Sequence, residues 1–174
     1  MSDEISNQYL TFSLRSERFA IAVAQVREIL DLAPIIRVPQ QPDFISGVIN
    51  LRGKVLPVVD LSCKFGLAAA ETSRDTCIVV LEFSDADGHG EVGALVDAVH
   101  EVIVLTSEEI EPPPRLGIGL ENGLISGMGK TAQGLVILLN VDQVFASAES
   151  QLLHSLPEVG ATPDSSQETP AYSR

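Results

Sequence analysis

No apolar run in this chain is long, and Gly, Pro, Asp or Ser interrupts each one. Runs of about four to eight residues rich in Val, Ile and Leu, bounded by such breakers, are the pattern of β-strands. Ten segments fit: Tyr9–Leu14, Phe19–Val23, Ile35–Val38, Val48–Leu51, Lys54–Asp60, Thr76–Phe83, Glu91–Asp97, Glu101–Leu105, Leu124–Met128 and Gly134–Asn140. Asp85-Ala86-Asp87-Gly88, Gln133-Gly134 and Arg52-Gly53 read as hairpin turns, where Gly accepts the positive φ that tight turns require. No long helical pattern alternates with the strands, which excludes a parallel βαβ sheet. Short strands at this spacing predict an all-β chain of barrels or sandwiches.

One amphipathic helix is expected near the end. Val144, Phe145, Ala148, Leu152 and Leu156 make a single apolar stripe at helical spacing. Asn140 or Asp142 can cap its start, and Pro157 with Gly160 stops it. Residues 157–174 carry Pro163 and Pro170 among Ser, Thr and acids, and read as a disordered tail. The strand pattern also repeats. Residues 19–29 resemble residues 92–102 at an offset of 73, with Val23, Val26 and Glu28 on Val96, Val99 and Glu101. Ile45-Ser46-Gly47 recurs as Ile125-Ser126-Gly127 at an offset of 80. Two copies of one pattern read as two similar small units.

The charge balance narrows the partners. Eleven Lys and Arg against 24 Asp and Glu give a net charge of −13. Nucleic acid and anionic membrane surfaces are bound through Lys and Arg, so both are excluded as expected partners. The start, Met1 to Gln8, is polar and acidic and lacks the pattern of a secretory signal. No apolar run reaches the roughly 18 residues of a membrane helix. Cys63 and Cys77 form no Cys-x-x-Cys pair and read as free thiols of a cytoplasmic protein.

Each catalytic pattern fails on a specific residue. Gly129-Lys130-Thr131 lacks the earlier Gly of a phosphate loop, because Leu124 occupies that place. Gly117 and Gly119 lack the third Gly of a dinucleotide fingerprint, because position 122 is Asn. His89, His100 and His154 are scattered and offer no zinc spacing. Asp60 and Asp97, each following an apolar run, read as carboxylates that bond backbone amides at a turn or helix start. No enzyme, metal or cofactor is expected. An enzyme built on those two carboxylates would need a concave polar pocket, whereas a binding module would present an apolar groove.

The most specific stretch is residues 39–66. It contains Pro39-x-x-Pro42, Phe44-Ile45-x-Gly47-Val48-x-Asn50-Leu51-Arg52-Gly53, Pro57-x-Val59-Asp60-Leu61 and Phe65-Gly66. From spacing alone Arg52 is either an idle turn residue or a recognition residue. The stretch resembles the CheW family of chemotaxis coupling proteins. Val26-Arg27-Glu28-Ile29-Leu30 resembles that family's Val-x-Glu-Ile helix after the second strand. Gly93 to Val102 is similar to its Gly-x-x-Val-Asp-x-Val-x-Glu-Val segment, and Ile125–Gly129 with Leu135–Val141 to its last hairpin.

The resemblance covers residues 8–155 and fits a free-standing coupler. It implies one CheW-like domain of two intertwined five-stranded SH3-like barrels sharing a hydrophobic seam, with a C-terminal helix and short helical turns. The first barrel would take about residues 9–75 and the second about 76–145, with the first strand crossing between them. It implies a non-catalytic cytoplasmic adaptor joining the cytoplasmic tip of a chemoreceptor to the regulatory domain of a CheA-type histidine kinase. A CheW-like paralogue serving pilus motility or another output would show the same pattern. The receptor-facing groove would involve Val26, Glu28, Gly47, Arg52 and Val55, with Arg52 foremost. The kinase-facing surface would lie around residues 92–105 and 124–140. Ser62 and His100 depart from the usual family pattern.

Overall fold

A computed structural model describes residues 7–67, 72–85, 88–113 and 123–145. Eleven strands run in chain order: β1 (Gln8–Leu14), β2 (Glu17–Ala22), β3 (Val26–Asp31), β4 (Ile45–Leu51), β5 (Lys54–Asp60), β6 (Cys77–Asp85), β7 (Gly88–Val96), β8 (Ala98–Val104), β9 (Ile110–Glu111), β10 (Ile125–Thr131) and β11 (Gly134–Leu139). Two helical turns, α1 (Leu61–Lys64) and α2 (Val141–Val144), follow β5 and β11, and single 3-10 turns cover Val23–Gln25 and Ser107–Glu109. The chain is all-β, as its punctuated apolar runs predict.

The strands make two sheets. One has six strands in the order β8-β1-β2-β11-β10-β9, the other five in the order β3-β6-β7-β5-β4. The sheets do not divide the chain near residue 76. β1 and β2 join the C-terminal strands, while β6 and β7 join β3 to β5. The cause is one parallel pairing at the centre of each sheet, β11 with β2 and β5 with β7. Each brings together segments distant in sequence, so the two units interleave along the chain. The sixth strand of the larger sheet is the two-residue β9.

Two expected elements differ. Val26–Leu30 is not helical but part of strand β3, which pairs antiparallel with β6. Its residues alternate between half-buried Val26, Glu28 and Leu30 and exposed Arg27, Ile29 and Asp31, a period of two that suits a strand. Helical geometry is confined to the single turn Val23–Gln25 before it. Ile35–Val38 is not a full strand. Ile36 alone bridges Val48 through a reciprocal pair of 2.8 Å bonds. Pro34 and Pro39 flank it and supply no N–H to extend the ladder.

The internal repeat is real at the level of pairing. Placing β3, β6, β7, β5 and β4 on β8, β1, β2, β11 and β10 gives the same order in both sheets. The repeated Ile-Ser-Gly marks the same device twice: the register slips between Ile45 and Gly47 and again between Ile125 and Gly127. At each site the glycine faces a backbone carbonyl of a neighbouring edge segment, Ile36 in one copy and Glu111 in the other. The helical turns also correspond. The Asp60 carboxylate accepts from Cys63 N at 3.2 Å, and the Asn140 side chain accepts from Gln143 N at 3.2 Å. Asn140, not Asp142, is therefore the cap. The expected helix continues over 146–156 and the tail over 157–174, which lie outside the described residues.

Apolar side chains separate into three clusters. Ile49, Leu56, Val58, Ile78, Val80 and Leu95 fill the five-stranded unit. Ala20, Leu105, Val136 and Leu138 fill the six-stranded one. A larger cluster lies between them and draws on both sheets, with Phe12 and Phe19 on one side and Leu81 and Phe83 on the other. This is the shared seam that the family resemblance implies.

Ser62, in α1, is fully buried and its hydroxyl has no hydrogen-bond partner. An unmade bond of this kind costs about 1 kcal/mol or more. Ser62→Ala is therefore expected to raise the unfolding midpoint by roughly 2–4 °C, read by thermal denaturation. A lower midpoint would mean that the hydroxyl is satisfied.

Candidate protein-binding site

The β4–β5 hairpin turns through Arg52 and Gly53, both with positive φ (54° and 86°). Two such residues give the turn whose twist matches antiparallel strands. Gly53 adopts it without steric cost, and Asn50 steadies it by accepting from Gly53 N at 2.7 Å. The turn lifts Arg52 into solvent, with 70% of its side chain exposed.

Arg52 is nevertheless engaged. Its Nη2 lies 2.5 Å from Glu28 Oε2 on β3, and donation to that carboxylate raises the Arg52 pKa further above its ordinary value. β3 and β4 are opposite edges of the five-stranded sheet. A direct contact between the hairpin tip and β3 therefore means that the sheet curls enough to bring its two edges together. Beside it runs a second charge network. Lys54 Nζ donates to Glu91 Oε1 at 3.0 Å, and Arg27 reaches Glu91 at 3.6 Å and Glu82 at 3.5 Å. Glu82 and Glu91 face each other across β6 and β7. Like charges in that position repel, and Arg27 offsets the repulsion.

Of the five residues singled out by the sequence, Glu28 and Arg52 are in contact. Val26 is half-buried against the seam. Val55 is half-buried beside the hairpin tip, paired with Asn50. Gly47 stands apart. It is buried, five positions before Arg52 on β4 or roughly 16 Å along the strand. A Cβ there would run into the Ile36 carbonyl, and its φ of +146° suits only glycine. Its visible role is to let the Ile35–Ile36 segment close on β4.

Sequence reasoning missed Arg27, Lys54, Glu82 and Glu91, which gain meaning only once the strand register is known. It also missed the apolar edges. Ile29 on β3 and Val102 and Val104 on β8 are exposed by 46%, 52% and 60%, and both strands are sheet edges.

The two acids weighed for catalysis are occupied structurally. Asp60 caps α1, and Asp97 Oδ2 accepts from Arg15 N at 2.7 Å in the β1–β2 turn. An apolar cavity of about 210 Å³ opens beside the seam, lined by Phe19, Phe65, Leu67, Ile125, Ile137 and Leu139. Among the described residues no three His, Cys, Asp or Glu side chains come together to hold a metal ion. No helix of the described residues is long and apolar enough to cross a membrane. Burial, as the leading cause, raises the pKa of both free thiols, Cys63 and Cys77, which favours the unreactive protonated form.

Comparison with known proteins agrees with this architecture. The CheW-like domain family model matches residues 8–149. The chain is 32% identical over 154 residues to the chemotaxis protein CheW of Klebsiella aerogenes, covering 88% of this chain and 90% of that protein. It is 33% identical over 137 residues to CheW of Helicobacter pylori, covering 79% and 80%. The crystal structure of the scaffolding protein TtCheW from Thermoanaerobacter tengcongensis superposes with a TM-score of 0.72 at 32% identity, covering 83% of this chain and 95% of that one.

Proposed function

This chain belongs to the CheW-like domain family, and from that membership we propose that it is a non-catalytic coupling adaptor of chemotaxis. It joins the cytoplasmic tip of chemoreceptors to the regulatory domain of a CheA-type histidine kinase, and works in the cytoplasm at the inner face of the membrane. The observation that carries the receptor side is the Arg52–Glu28 pair at the β4–β5 tip, flanked by half-buried Val26 and Val55.

A helical hairpin tip lays apolar side chains against such a surface, and the exposed guanidinium adds a charge-assisted bond at its edge. The kinase docks around residues 92–105 and 124–140, of which β8, β10 and β11 belong to the six-stranded sheet and 92–96 to β7 of the other. Exposed Val102, Val104 and Leu135 lie in those ranges. Two docking surfaces on one rigid body hold receptor and kinase in register. Several weak contacts tethered in an array then give avidity that no single contact has. A receptor alters kinase activity through this body only by contacting it differently in its two signalling states.

The test is binding of the protein to a receptor-tip fragment and to the kinase regulatory domain, measured separately, with Arg52→Glu in parallel. Charge reversal sets a carboxylate against Glu28 and removes the cation. The variant is expected to lose receptor binding by about tenfold or more, the scale of a desolvated charged contact. Kinase binding and the unfolding midpoint stay at wild-type values. Failure of the wild type to bind either partner overturns the adaptor role. Wild-type receptor affinity in Arg52→Glu overturns the assignment of the site.

A further inference from the structure

The chain passes between its two sheets twice among the described residues, through Val23–Gln25 from β2 to β3 and through Asp97 from β7 to β8. The repeat makes these crossings equivalent, because the offset of 73 carries Ala24 onto Asp97. In each half a carboxylate accepts the backbone N–H just past the last equivalent pair of a hairpin, Asp97 from the second crossing itself and Asp142 from α2. Asp97 Oδ2 takes Arg15 N at 2.7 Å, and Asp142 Oδ1 takes Ser84 N at 2.9 Å. Asp142 reaches the first crossing through a further arm. Gln25 Nε2 donates to the same Asp142 Oδ1 at 3.0 Å and lies 3.3 Å from the Glu82 carbonyl oxygen.

This arm has no counterpart. The residues in the equivalent places are Ser62, whose hydroxyl is unpaired, and Ala98. Among the described residues the tie between two side chains is made at the crossing that feeds β3, one residue before Val26 and three before Glu28. Asp142 itself belongs to α2, which follows β11 of the other sheet. One carboxylate therefore fixes the start of β3 relative to the six-stranded unit.

We propose that Asp142, acting through Gln25, is a positioning residue for the receptor-facing strand β3: it holds Val26 and Glu28 at a set place relative to the six-stranded unit. The inference deepens the adaptor reading and rests on it for the identity of the partner. The positioning itself is a property of the free protein. Gln25→Ala removes the arm to the crossing together with its bond to the Glu82 carbonyl, and leaves the Asp142–Ser84 bond in place. Asp142→Ala removes both bonds, and Asp142→Asn keeps an amide oxygen that can accept them.

The experiment measures amide hydrogen exchange of β3 and β5 in the free full chain, then affinity for the receptor-tip fragment and the kinase regulatory domain. In Gln25→Ala and Asp142→Ala, exchange across Val26–Asp31 is expected to accelerate about fivefold to tenfold, the equivalent of one hydrogen bond, while β5 is unchanged. Receptor affinity falls by a similar factor, kinase affinity holds, and Asp142→Asn restores both readouts to near wild type. Unchanged β3 exchange in Gln25→Ala overturns the proposal. So does a loss spread equally over β5 and kinase binding, which marks a general loss of stability. Faster β3 exchange in a protein whose wild type binds no receptor fragment supports the positioning role and counts only against the receptor reading. Arg52→Glu, which leaves Gln25 and Asp142 untouched, separates the two.

Discussion

Gly47→Ala is expected to lower the unfolding midpoint by about 10 °C, and to weaken both partners together rather than the receptor alone. Two costs add at this position. A φ of +146° is foreign to any residue with a Cβ, which costs about 1–3 kcal/mol. The new methyl would also run into the Ile36 carbonyl and the Ile35 side chain, and overpacking of that kind costs about 1–3 kcal/mol more. The obstruction cannot step aside, because Ile36 is held to Val48 by two backbone bonds. For a domain of this size each kcal/mol moves the midpoint by roughly 2–4 °C. Gly53→Ala is the contrast. Its Cβ would meet nothing within 4 Å, so only the φ cost applies, and a fall of a few degrees is expected. Thermal unfolding of the two variants beside Arg52→Glu decides what Gly47 does. A Gly47→Ala protein with a near-normal midpoint and no receptor binding would make Gly47 a contact residue. A collapsed midpoint makes it a structural one.

That contrast shows where sequence reading succeeds on this chain and where it stops. Strand positions were legible because turn residues bound every apolar run, and turn chemistry acts locally. The Arg52-Gly53 tip was legible for the same reason. The repeated Ile-Ser-Gly was visible, and it marks a pair of equivalent bulges. The division into units was not legible, because it depends on which strands meet in parallel. Val58 meeting Gly93 and Ile137 meeting Phe19 leave no local trace. The resemblance implies a helix over Val26–Leu30, and the apolar residues at 26, 29 and 30 do not argue against it; the period of two appears only in the burial of Val26 to Asp31. The Arg52 partner was also out of reach of spacing. Glu28 lies 24 positions earlier, on the opposite sheet edge, and becomes a neighbour only when the sheet curls. Asp60 and Asp97 are legible as carboxylates bonded to backbone amides, since short acids after an apolar strand satisfy nearby N–H groups wherever the fold goes.

Phe12→Ala is expected to unfold both sheets together, in one transition, at a cost of about 3–5 kcal/mol. Phe12 is fully buried and stacks on Phe19 with ring centroids 5.9 Å apart. Among the described residues its cluster holds 18 buried ones, against six inside the five-stranded unit and four inside the six-stranded one. Neither unit therefore buries enough apolar surface of its own to stand without the seam. Total stability of a domain is about 5–15 kcal/mol, so this one truncation removes a large share of it. Urea unfolding followed by circular dichroism, with exchange rates read in β5 and β11, distinguishes the alternatives. A single transition shifted to lower urea, with both strands losing protection equally, means that the seam makes one cooperative body. Two transitions, of which only the one containing β11 moves, would mean that the units fold independently. The coupling role depends on the first outcome. Arg52 belongs to the five-stranded unit and Val102 to the six-stranded one. A receptor and a kinase held on those two surfaces keep a fixed register only if the seam between them does not yield.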